Sequence, residues 1–68
     1  MPALAGLAAP ALTPREREIA ALAAQGLPSR AIAVRLGLSP RTVDNHLTSI
    51  YAKLGIPGRT DLASILSP

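Results

Sequence analysis

Cysteine is absent from this 68-residue chain, which excludes disulfide staples, thiolate metal sites and a cysteine nucleophile. Histidine occurs once, as His46, so an imidazole metal site has no second ligand of that kind. Phenylalanine and tryptophan are missing and Tyr51 is the only aromatic residue. The basic residues are scattered rather than gathered on one face, which argues against a membrane-surface helix. No apolar run reaches the roughly 18 residues that a bilayer span requires. The apolar opening "MPALAGLAAPAL" is short and has no basic residue ahead of it, so it lacks the form of an export signal. With no cysteine to oxidise, the chain suits a reducing cytoplasm.

Acidic residues are also few. Four Asp and Glu stand against seven Lys and Arg, a formal charge of +3 that favours an anionic partner such as nucleic acid. The length allows one domain, because chains this short bury only about 60% of the surface their unfolded form exposes. A core of that size supplies roughly 3 to 5 kcal/mol, so regular helix packing or a partner chain must help. Residues 1–11, rich in Ala, Pro and Gly, read as a flexible linker or N-terminal tail of a connection to something upstream, and 12–68 as the folded domain.

Four helices have readable ends. Thr13-Pro14-Arg15-Glu16 has the form of a capping box with Pro in the first turn. The helix it starts carries Ile19, Leu22 and Ala23 on one face and stops near Gly26. A short second helix takes Pro28 as its first residue, Ile32, Ala33 and Leu36 as its inward stripe, and Gly37 as its close. Ser39-Pro40 repeats the start signal for a third and longest helix that runs to Leu54 before Gly55. Val43, Leu47, Ile50 and Leu54 line one side of it, Tyr51 packs beside them, and the opposite side is left to solvent. After Pro57-Gly58, Arg59 to Leu66 forms a fourth helix with Leu62, Ala63, Ile65 and Leu66 as its apolar content. No segment has the period of two that marks a strand. Only Gly37, Leu38 and Ser39 separate the second and third helices. A turn that short suits steeply crossing helices, the helix-turn-helix arrangement, whose second member projects into a major groove about 12 Å wide.

From Leu12 to Ile65 the chain resembles the LuxR-type (GerE-like) helix-turn-helix domain of bacterial transcription regulators. The likeness rests on "LTPRERE" at Leu12 to Glu18, Gly26, Ile32-Ala33, Leu36-Gly37, "SPRTV" at Ser39 to Val43, Asn45-His46, Ile50, "KLG" at Lys53 to Gly55, and Arg59. It implies an all-α, compact four-helix DNA-binding domain, usually the output part of a longer regulator such as a response regulator. It also implies duplex DNA and a second copy of the chain as partners, RNA polymerase as a further one, and no cofactor, metal or small-molecule ligand. Carried over position by position, the base-reading residues fall on Arg41, Asp44, Asn45 and Thr48. Their spacing of three, one and three sets them on one helical face, away from Val43, Leu47 and Ile50. Phosphate contacts fall on Ser39, Thr42 and Lys53, and pairing through the last helix falls on Leu62, Ile65 and Leu66.

Each assignment has a plainer counterpart. Arg41 can donate twice to guanine or pair with a phosphate; Asn45 can pair with adenine or remain a solvated surface residue; Thr48 can touch a thymine methyl or nothing. Lys53 can be merely solvated. Asp44 stands where the family often has a basic residue. It either accepts from cytosine N4 or pairs with Arg41 one turn away, a contact worth about 0.2 to 0.5 kcal/mol. His46 reads as a packing or backbone contact, and Thr13 and Glu16 as capping residues; with no catalytic constellation, the chain is not read as an enzyme. Two other readings compete: a promoter-reading domain of a sigma factor, which shares an "LTPRERE"-like opening, and a protein-interaction module on the same fold with the last helix as its surface.

Overall fold

The computed structural model describes residues 12–66, the Leu66 side chain excepted, so the expected tail at 1–11 lies outside the described residues. Among those residues there are four helices and no strand. They are α1 (Pro14–Ala24), α2 (Ser29–Leu36), α3 (Pro40–Leu54) and α4 (Arg59–Leu66).

Local chemistry sets most of the ends. Thr13 is extended, its Oγ1 accepts from the Glu16 amide at 3.1 Å, and Glu16 Oε1 accepts from the Thr13 amide at 2.8 Å. That reciprocal pair satisfies two of the orphan donors at the start of α1. Ser39 does half of the same job for α3, accepting from the Thr42 amide at 3.1 Å. Gly37 closes α2 at φ +71° and Gly55 closes α3 at φ +68°. A side chain at either position would be strained by its own backbone whatever the space around it.

One boundary differs from the sequence reading. Pro28 is the N-cap of α2 rather than its first residue: its ψ of 161° is extended, and the first helical position falls to Ser29. The chain is still turning away from α1 there, and Pro28 contributes a carbonyl that accepts from the Ile32 amide at 3.0 Å. Pro28 has no side-chain acceptor to offer, so α2 begins without a side-chain cap of its own.

Each helix sends at least one large aliphatic side chain to a common centre. Ile19, Ile32, Val43, Ile50 and Leu62 are all 0% exposed. α1 packs against α2, α3 and α4, and α2 packs against α3. Fully burying a side chain of this size contributes about 1.5 to 3 kcal/mol before conformational entropy opposes it. Arg59, the first residue of α4, donates through Nη1 to the Ala23 carbonyl at 3.3 Å and to that of Leu27. A guanidinium at the C-terminal end of α1 ties its last turn and the loop after it to α4 and suits the helix dipole. No helix among the described residues is long and apolar enough to cross a membrane.

Candidate nucleic-acid interface

α3 is amphipathic in a way that divides its residues cleanly. Val43, Leu47 and Ile50 are buried, whereas Arg41, Asp44, Asn45 and Thr48 are all exposed. Packing of the apolar stripe on α1 and α2 therefore orients the polar face outward, and the whole expected base-reading set lies on it. At about 1.5 Å per residue and 10 to 12 Å across, a helix of this kind fits a major groove about 12 Å wide.

The polar groups on this face are already partly engaged. Asp44 does not pair with Arg41: among the described residues the ion pairs are Arg15 with Glu18 at 3.3 Å and Lys53 with Glu16 at 2.7 Å. Instead Asp44 Oδ1 accepts from the hydroxyl of Ser29, the first residue of α2. The turn brings the start of α2 alongside α3, and a short hydroxyl there reaches the carboxylate when a long guanidinium on the same helix points elsewhere. Thr48 Oγ1 donates to the Asp44 carbonyl at 3.1 Å, so its proton is committed to backbone while its methyl group and lone pairs stay free. Arg41 and Asn45 make no side-chain hydrogen bond among the described residues and are the uncommitted members of the set.

The expected phosphate contacts divide in the same manner. Ser39 and Thr42 meet at the start of α3, with the Ser39 hydroxyl donating to Thr42 Oγ1 at 2.9 Å. Pro40 has no amide hydrogen and the Thr42 amide is held by Ser39, so the Arg41 amide is the donor left in the first turn. Lys53 lies at the other end of α3, with its ammonium 2.7 Å from Glu16 Oε1. Glu16 is buried and also accepts from Ser49 Oγ at 3.2 Å. The Lys53 hydrogen bond first, then the Thr13 amide, holds its carboxyl well below the usual range, from 4.5 to about 2, against the opposing effect of burial. Glu16 is thus a junction between α1 and α3 as well as a capping residue.

The last helix turns differently from expectation. Leu62 is 0% exposed and belongs to the core, so it has no surface to give a partner chain. α4 packs on α1, and among its described side chains Leu62 is the one buried in the core. Ile65 is 48% exposed, and Leu66 lies outside the described side chains. His46 is half-buried on the flank of α3, as is Tyr51.

Sequence reasoning missed the Ser29–Asp44 bond, the Lys53–Glu16 pair and the Arg59 cap. Each joins residues between 15 and 37 positions apart, where periodicity carries no signal. The Thr13–Glu16 box was visible because it is local.

The family described as "Bacterial regulatory proteins, luxR family" matches residues 10–66. A putative HTH-type transcriptional regulator of Mycobacterium tuberculosis is 55% identical over 51 residues, which is 75% of this chain and 6% of that protein. The transcriptional regulatory protein UhpA of Escherichia coli is 46% identical over 52 residues, 76% of this chain and 26% of UhpA. The transcriptional regulatory protein YdfI of Bacillus subtilis is 50% identical over 54 residues, 79% of this chain and 25% of YdfI. The chain spans a quarter or less of the mycobacterial and Bacillus relatives and about a quarter of UhpA.

Proposed function

The chain belongs to the LuxR family of bacterial regulatory proteins, and from that premise we propose how it reads DNA. Membership makes it a DNA-binding domain of transcription regulation, and the family is not one of enzymes. In the proposed complex the exposed face of α3 lies in the major groove. Arg41 donates to guanine O6 and N7, Asn45 pairs with adenine, Asp44 accepts from cytosine N4, and the Thr48 methyl meets thymine. Ser39, Thr42 and the first-turn amide of Arg41 lie against phosphate. Lys53 reaches phosphate only by giving up Glu16, so its contribution to affinity is smaller than that of a free lysine. The protein works where bacterial DNA is, in the cytoplasm.

The observation that carries this reading is the exposure of Arg41, Asp44, Asn45 and Thr48 together on the side of α3 opposite its buried stripe. A second copy of the chain is proposed to pair through the exposed side of α4 at Ile65, and contact with RNA polymerase follows from the regulatory role. The test is selection of bound duplexes from a random pool at near-physiological salt. An inverted repeat with half-sites about one helical turn apart is the expected outcome. Arg41→Ala is expected to lose about 1 to 3 kcal/mol on the selected site and to relax preference at one base pair. Equal losses on every duplex would reduce Arg41 to a phosphate contact.

A further inference from the structure

The bond between Ser29 and Asp44 joins the two helices of the helix-turn-helix, from the end of α2 remote from the turn to the second turn of α3. Ser29 opens α2, and Asp44 stands on the exposed face of α3. Three features of this contact bear on base reading. Oδ1 is taken by the Ser29 hydroxyl, while Oδ2 makes no hydrogen bond among the described residues. The carboxylate therefore presents one acceptor in a fixed direction rather than two in several. α2 starts at Ser29 after an N-cap, Pro28, that offers no side-chain acceptor, so a negative charge held beside its first turn also complements the helix dipole. The carboxylate backbone is fixed in turn, because its carbonyl accepts from Thr48.

From this geometry we infer that Ser29 is a positioning residue for base selectivity: its hydroxyl sets the Asp44 carboxylate so that Oδ2 alone accepts from a cytosine amino group in the major groove. The inference rests on the proposal that Asp44 faces a base, and it adds a residue outside the recognition helix to the set that decides the sequence read. A short acidic side chain that rotates freely must be ordered when DNA binds, and that entropy cost falls on the matched site. Anchoring by Ser29 removes the cost beforehand. It also keeps the carboxylate from swinging toward phosphate, where it would be repelled on every sequence. Matched and mismatched duplexes are therefore separated by the orientation of Asp44, not by its charge alone.

The test is a double-mutant cycle on the chain, read as the ratio of affinities for the selected duplex and for the same duplex with C·G replaced by T·A opposite Asp44. Ser29→Ala is expected to cut that ratio by about 10-fold, within the range one good base contact discriminates. Binding to a duplex with no selected site should stay within about two-fold. Ser29→Thr keeps the hydroxyl and should restore the ratio. In an Asp44→Ala background the Ser29 substitution should have no further effect on it. A loss shared equally by all duplexes, with Ser29→Thr as poor as Ser29→Ala, would make the hydroxyl a stabiliser of the fold and overturn the inference. An unchanged ratio in Ser29→Ala, with the ratio abolished in Asp44→Ala, would show Asp44 reading unaided and overturn the inference alone. An unchanged ratio in Asp44→Ala would overturn the base reading and the positioning role together.

Discussion

At Glu16 one carboxylate accepts from the Thr13 amide, the Ser49 hydroxyl and the Lys53 ammonium, and it is buried while doing so. A capping residue has become the link between the start of α1 and the last turns of α3. Its pKa falls from 4.5 to about 2 on folding. A depressed folded pKa means that the stabilisation is fully present above 4.5 and is lost as pH falls from there toward about 2. Thermal unfolding across that window should show the wild-type chain losing stability faster than Glu16→Gln, with the two curves converging at the acid end. Parallel curves would mean that Glu16 titrates alike in both states. The capping half of this arrangement was legible in "TPRE" because it spans one turn. The Lys53 half was not, since no periodic pattern relates positions 37 residues apart.

α3 is the element on which core and interface depend together. Its buried stripe determines which side faces out, so damage to the stripe reaches the exposed polar side without touching it. Ile50 is 0% exposed, and Ile50→Ala should cost about 2 to 5 kcal/mol. Against the roughly 3 to 5 kcal/mol that a core this small supplies, such a loss unfolds much of the population at ambient temperature. Chemical denaturation is the direct check, and a midpoint shift worth under about 1 kcal/mol would show that the core repacks around the gap. The stripe, its length and both of its ends were legible in Val43, Leu47 and Ile50 between Ser39 and Gly55, because amphipathic spacing and caps are properties of a single helix. The start of α2 was misplaced by one residue for a related reason. Pro28 suits either a first helical position or an extended cap, and the path away from α1 decides between them.

For the whole molecule the proposed pairing of two copies rests on α4. α4 commits Leu62 to the core and leaves Ile65 outside. A helix of eight residues is about 12 Å long and 10 to 12 Å across, so one face covers on the order of 10² Å², far short of the roughly 800 Å² per partner that a stable pair buries. Pairing through this face is therefore expected to be weak in free solution and to become evident on DNA, where neighbouring half-sites raise the effective concentration. Ile65→Glu should abolish cooperative binding to two half-sites and leave affinity for a single half-site unchanged, as binding curves on the two duplexes would read. Cooperativity that survives this substitution would place the contact elsewhere. The four helices, the caps of α1 and α3, and the buried stripe and polar face of α3 were determined by sequence alone, because each depends on neighbours within about four positions. Tertiary structure alone decided that Leu62 points inward, that Asp44 answers Ser29 rather than Arg41, and that Lys53 is held by Glu16. Those pairings depend on the crossing of helices, which brings together side chains that the spacing along any one helix leaves unrelated.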